Sequence, residues 1–252
     1  MPIYVGVCKF TKKMYSLFQT VEIQRTFYNI PKIETVEKWR LEAPNNFIFS
    51  FKVFQGLTHN KSSPTWRRYS GKITEEEMLN VGDLKVNEYT MKYIEIMAKF
   101  AKILESSVVV VQTPSSFKPT KENISNAKLF FETFTRVLQR ENAKAIIGWE
   151  PRGTWLKNPD SILQVISDND HVIHVTDPMY HDPVKLPKTL YFRLHGKPYL
   201  NYRYKYTDED FRLLFRKIRD FLDRGIKEIY VMFNNVNMIN DAKTFQEFLN
   251  EL

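Results

Sequence analysis

Eight short apolar runs, separated by stretches of helical periodicity, constrain the fold of this chain more than any other feature. The runs cover residues 3–7, 20–24, 47–52, 107–112, 145–150, 171–175, 190–195 and 229–233. Amphipathic stretches at 34–42, 90–105, 121–141, 159–168, 208–224 and 241–252 lie between most of them or after the last. Strands alternating with helices must be joined by crossovers, which makes the sheet parallel. Eight such units in 252 residues match an α/β fold of one (β/α)8 TIM-like barrel domain spanning 1–252. A doubly wound open sheet is the alternative, but "VGVCKFTKK" has no glycine-rich turn after the first strand. The first crossover, residues 9–19, is atypically short for a helix. Residues 60–89 and 197–206 read as insertions. Thr207 with Asp210 resembles a helix N-cap with an acidic partner, Thr74 with Glu77 has the full capping-box pattern, and Gly225 sits where a helix-ending glycine belongs.

The alternation within each strand carries functional information. In a barrel, alternate residues face the helices, which demand apolar side chains, while the others face the lumen. In "YFRLHG", Leu190, Phe192 and Leu194 take the outer phase, which turns Tyr191, Arg193 and His195 inward. The same rule sends Glu22, Gln24, Lys52, Gln112, Gly148, Glu150 and Asn234 inside. Most of the polar ones come late in their strands, at the C-terminal mouth where barrel active sites are built. Two acids and two bases, Glu22 and Glu150 with Lys52 and Arg193, would share one partly water-excluded space. Isolated buried charges cost several kcal/mol each, so they are expected to pair. Such pairing can also be purely architectural.

Bulk properties narrow the classes. An apolar share of 43% with 14% aromatic residues is that of a globular chain. No apolar run approaches the roughly 20 residues of a membrane helix, and "MPIYVGV" lacks a signal pattern, so a soluble, cytoplasmic protein is expected. The single cysteine, Cys8, excludes an internal disulfide and a cysteine-based metal cluster. A formal charge of +8 favours anionic partners, or serves solubility alone.

Six motifs in order, "VEIQRTFYNIP", "FSFKV" followed by "LTH", "QTPSSF", "GWEPRGTW", "YFRLHG" and "YVMFNN", together resemble the YecE-like family, domain of unknown function seventy-two. The resemblance spans nearly the whole chain and implies a TIM-like barrel; it supplies no reaction. The chain departs from the family at its start, where "GVCKFTKKMYSLF" replaces an aromatic "G-x-S-G-W" opening and a long first helix.

The expected function is that of an enzyme or ligand-binding barrel for a small anionic or phosphorylated compound, acting by acid–base chemistry without a cofactor. Glu150 and His195 are the candidate catalytic residues. Arg193 and Lys52 are candidates to hold a phosphate or carboxylate. Glu22, Gln112, Asn234, Asn235, His59, Arg152 and Tyr191 complete the candidate substrate site. A divalent metal with endonuclease IV-like hydrolysis would need three or more ligands from His59, Glu150, Asp177, His195, Glu22 and His174, against the repulsion of Lys52 and Arg193. Ser115 and Ser116 lack a nucleophile elbow. Asp177 either accepts a hydrogen bond from His195 or caps a loop. Tyrosines 199, 202, 204 and 206, interleaved with Lys197, Arg203 and Lys205, suit either single-stranded nucleic acid or a packed lid. A non-catalytic binding module is the remaining alternative, and the oligomeric state is open.

Overall fold

The computed structural model describes residues 3–251. Eight parallel strands form one sheet: β1 (Ile3–Val7), β2 (Thr20–Ile23), β3 (Ile48–Lys52), β4 (Val108–Gln112), β5 (Ile146–Glu150), β6 (Val172–His174), β7 (Thr189–Leu194) and β8 (Glu228–Phe233). Their spatial order, β6-β5-β4-β3-β2-β1-β8-β7, leaves β6 and β7 at the two ends. A single bridge of two hydrogen bonds joins those ends just beyond β6: the Arg193 N–H donates to Thr176 O at 2.9 Å and the Thr176 N–H to Tyr191 O at 3.4 Å. The sheet is therefore a nearly closed (β/α)8 barrel, with its seam between β6 and β7.

The helices are α1 (Arg25–Tyr28), α2 (Ile33–Glu42), α3 (Gln55–Thr58), α4 (Glu75–Asn80), α5 (Glu88–Ile103), α6 (Lys121–Arg140), α7 (Pro159–Ile166), α8 (Asp208–Asp223) and α9 (Met238–Asn250). The expected last helix runs to Leu252, which lies outside the described residues. The first crossover is a 3-10 helix, Lys12–Ser16. Aromatic packing covers the wall that a longer helix would shield: Tyr15 lies edge-on to Phe47, with centroids 4.9 Å apart, and Phe10 packs on Trp39 at 5.5 Å. The segment 60–89 folds into a 3-10 turn (Pro64–Arg68), α4 and the start of α5. No helix among the described residues is long and apolar enough to cross a membrane.

The alternation rule separates two cores. Val21, Ile23, Phe49, Phe51, Ile147, Trp149, Leu190, Phe192, Leu194, Val231 and Phe233 pack with the helices. Val108, Val110, Ile173, Val175, Tyr191, Tyr230 and Met232 fill the lumen as a separate cluster. Tyr191, Tyr230 and Tyr4 stack across the lumen with centroids 5.7 and 5.0 Å apart. Gly148 is required on β5 because a Cβ there would sit 2.8 Å from Val175 Cγ2 and 2.9 Å from Val108 Cγ1. This apolar plug closes the barrel below the mouth and gives the polar layer above it a floor.

The cap expectations fare unequally. Thr207 and Asp210 make a reciprocal capping box at α8. Gly225 ends that helix at φ +94°, with Ile226 N–H donating to Phe221 O. At α4 the exchange is one-way: Thr74 Oγ1 accepts from the Glu77 N–H at 3.1 Å. The Glu77 carboxylate is taken instead by the Tyr93 hydroxyl and by Lys92 Nζ, because α5 packs closely enough to compete for it.

Candidate functional site

Arg193, on β7, is the centre of the polar layer and is 1% exposed. Its Nε and Nη2 donate to the two oxygens of Glu22 at 2.9 and 3.0 Å, a bidentate fork. Its Nη1 donates to Glu150 Oε2. Glu22 also accepts from the Tyr191 hydroxyl at 3.0 Å and from the Gln24 amide. Arg152, two residues beyond Glu150, brings Nε and Nη2 to 2.8 Å from Glu150 Oε1. Burial alone would raise the Glu150 pKa, but Arg152, Arg193 and His195 hold its carboxyl well below the usual carboxylate range. Burial disfavours the charge on Arg193 as well, yet Glu150 and Glu22 hold its proton more tightly than usual. The two glutamates are thus the counter-ions of two guanidiniums: the expected pairing holds for Arg193, but Arg152 takes the place expected for Lys52.

Lys52, at the end of β3, has no such partner. Its Nζ donates to Gln112 Oε1 at 2.7 Å and lies 3.6 Å from the centroid of the Phe27 ring. No carboxylate of the described residues lies within ion-pairing distance of it. Gln112 is fixed in turn by donation to Thr113 O at 2.9 Å. Burial, then the positive charges of Arg193 and Arg152, push the Lys52 amine well below the ordinary lysine pKa despite opposing pulls from Glu150 and Glu22. The same surroundings act on His59, which burial, Lys52 and Arg152 drive down to about 3. His59 shares a 2.7 Å hydrogen bond between Nδ1 and Thr58 Oγ1 and packs edge-on to Phe27.

His195 lies just past β7, and Asp177 serves the backbone around it. Asp177 Oδ2 accepts the His195 N–H at 2.9 Å, while Oδ1 accepts the Met179 N–H at 3.1 Å, so the carboxylate caps both the strand end and the following loop. The imidazole Nδ1 is 3.8 Å from Asp177 Oδ2, and Nε2 is 3.4 Å from Arg152 Nη2 and 3.7 Å from Glu150 Oε1. An arginine only donates, which assigns Nε2 as acceptor and places the ring proton on Nδ1, facing Asp177. Burial lowers the His195 pKa on balance, against the pull of Asp177 and Glu150.

The loop 197–206 covers this corner. Tyr199 and Tyr202 approach the His195 ring at 6.3 and 5.8 Å. Tyr206 accepts the Gly196 N–H at 2.8 Å, and Tyr204 donates to Asp210 Oδ2 at 2.6 Å. Lys197 pairs with Asp210. Three of the four tyrosines are therefore held in lid packing, and Tyr202 is the exposed one, at 39%.

Beside the lid opens a cavity of about 450 Å³, lined by Lys52, Gln112, His59, Arg152, Arg193 and Asn234 together with Gln24, Phe27, Tyr28 and Tyr202. Glu22, Glu150, Tyr191 and His195 lie beneath or beside it and do not line it. Asn235 is elsewhere: its amide donates to Tyr204 O at 2.7 Å and to Asp241 Oδ2 at 2.6 Å, tying the lid to α9. The adjacent Asn234 faces the cavity, as period-two alternation requires. Phe27 and Tyr28 enter the wall from the short helix α1 and residues 63–65 from the 3-10 turn, where strand alternation has no reach; Ser115 does the same beyond β4.

A metal fits poorly. Among the described residues no three His, Cys, Asp or Glu side chains are grouped to hold an ion. The Glu150 oxygens already face guanidiniums, and His59 and His174 lie apart from them in the hydrogen-bond network.

The model of a family described as "Protein of unknown function DUF72" matches residues 10–252. The chain belongs to this family, which is the YecE-like family. Among solved structures, a DUF72 family protein from Enterococcus faecalis is 24% identical with a TM-score of 0.70, over 98% of this chain and 97% of that one. A DUF72 family protein from Thermotoga maritima is 19% identical with a TM-score of 0.66, over 99% and 100%. A D-tagatose 3-epimerase-like protein shares the fold at 14% identity and a TM-score of 0.58, over 100% and 99%. No curated protein sequence shows significant similarity to the chain. For DUF72 membership the N-terminal departure costs little, since the match begins at Phe10, inside the atypical opening.

Proposed function

We propose that the DUF72 barrel mouth binds a small anionic compound and acts on it by proton transfer, with Lys52 as the group that answers the ligand's charge. One observation carries this reading: of the three cations around the cavity, Arg193 and Arg152 are paired with carboxylates, whereas Lys52 has only a neutral amide and an aromatic face. An entering carboxylate or phosphate supplies the missing counter-charge, and Arg152, which also lines the cavity, offers the edge of its guanidinium. Glu150 contributes charge rather than a proton, because two arginines stabilise its ionised form. Lys52, held towards its free-base form, is the better proton acceptor at neutral pH.

The test is calorimetric. Phosphate, sulfate and small carboxylates are titrated into the protein in buffers of different ionisation enthalpy. An anion that raises the Lys52 pKa must draw protons from the buffer, so net proton uptake on binding is expected between neutral and mildly alkaline pH. Lys52→Met should abolish both uptake and binding while leaving the melting transition in place. Binding without proton uptake, at every pH from neutral to mildly alkaline, would refute the role given to Lys52.

A further inference from the structure

The surroundings of Lys52 support a step beyond anion binding. Lys52 lines the cavity, yet the residue is only 6% exposed. One N–H is spent on Gln112 Oε1, and the face of Phe27 shields another side of the nitrogen from water. In its free-base form, towards which burial and the two arginines push it, the amine has a lone pair. Arg152, beside it on the cavity wall, is oriented by its fork on Glu150 and remains 16% exposed. The wall thus sets an unpaired amine next to a fixed guanidinium, in a space large enough for a small organic acid.

We infer that Lys52 is a nucleophile that captures the carbonyl carbon of a small anionic aldehyde, ketone or 2-oxo acid as an imine, while Arg152 holds the substrate's carboxylate or phosphate. The inference rests on the anion-binding reading above. In the step, the Nζ lone pair forms a C–N bond to the carbonyl carbon as the C=O π pair moves to oxygen. The nitrogen gives up one proton, the oxygen takes one, and a carbinolamine results. Protonation of its hydroxyl and loss of water break the C–O bond and leave a C=N–H cation. The sum is amine, carbonyl and one proton giving iminium and water, with no oxidant or reductant. The iminium carries the same charge as a protonated Lys52, so it makes the same pair with the anionic end of the substrate. Free-base lysines of this kind are the ones that perform such chemistry.

The experiment traps the imine. The protein is incubated with pyruvate, glyoxylate or glycolaldehyde phosphate and cyanoborohydride at neutral pH, and adducts are located by peptide mass mapping. Each unit by which a lysine pKa is depressed gives roughly tenfold more free amine, so Lys52 is expected to be labelled at least about ten times faster than any surface lysine. Lactate, which has the carboxylate of pyruvate but no carbonyl, should bind and slow the pyruvate labelling without being trapped. Lys52→Arg should melt as the wild type and lose the fast adduct. Adducts spread over surface lysines, with Lys52 no faster than the rest, would overturn the inference. If lactate binds with proton uptake while none of the three carbonyl probes is trapped, the imine fails and the anion site stands. If lactate does not bind and nothing is trapped, both fail.

Discussion

Arg193→Met is the most informative single perturbation, because the energetics of the polar layer pass through that guanidinium. Arg193 makes three charge-assisted hydrogen bonds, two to Glu22 and one to Glu150, in a place that is 1% exposed. Removing one partner of a buried ion pair costs about 3–5 kcal/mol, since the other charge is left without compensation. Here Glu150 retains Arg152, whereas Glu22 retains only Tyr191 and Gln24. The loss should therefore fall near the upper end of that range, a large part of the ~5–15 kcal/mol that holds a typical domain together.

The paired variant Arg193→Met with Glu22→Gln removes the stranded charge. It should recover the stability to within ~1–2 kcal/mol of wild type, as apolar or neutral replacements of buried pairs do. Urea unfolding followed by circular dichroism gives both differences, provided the slopes agree. Acid titration adds an independent check. The Glu150 pKa is depressed in the folded state from an ordinary 4.5. Its contribution is therefore present above 4.5 and is lost as the pH falls below that value. With Arg193 gone only Arg152 and His195 sustain the depression, so the acid loss should become shallower. A cost below about 1 kcal/mol for Arg193→Met, or no rescue by Glu22→Gln, would refute the account of the layer as an obligatory charge network.

Two further outcomes are expected. His59 stays neutral in the fold down to about 3, whereas an unfolded histidine protonates near 6.5. The unfolded state thus binds more protons in that window, and stability falls as the pH drops through it. His59→Gln should flatten part of this decline, with His174, also lowered to about 3, keeping the remainder; melting temperatures with an unchanged pH slope would count against it. Gly148→Ala places a methyl 2.8 Å from Val175 Cγ2 and 2.9 Å from Val108 Cγ1, and overpacking of this kind costs ~1–3 kcal/mol. A urea midpoint equal to wild type would show that the lumenal plug is looser than described.

Much of this molecule was legible from pattern alone. Leu190, Phe192 and Leu194 had to face the helices, so Tyr191, Arg193 and His195 had to face the axis, and the two separate cores bear that out. The same argument placed Glu22, Lys52, Gln112 and Glu150 in one layer, because period-two alternation is a local property of each strand. It reached one step past β8, putting Asn234 on the cavity and Asn235 away from it, but it could not name the partners that Asn235 takes, Tyr204 and Asp241. Glu77 carries a capping-box signature, yet its carboxylate serves α5. Phe27 and residues 63–65 reach the cavity from a short helix and a 3-10 turn too brief to show periodicity.

What the chain determined by itself, then, is the barrel, the phase of its strands and the identity of the side chains that point inward, since those follow from covering each strand with an apolar helix face. Only the tertiary structure decided who pairs with whom. Coulomb attraction and desolvation depend on distances of a few ångströms between residues far apart in sequence. Glu22 and Arg193 are 171 positions apart, and no local pattern in the sequence records that both glutamates go to arginines while Lys52 goes without a carboxylate.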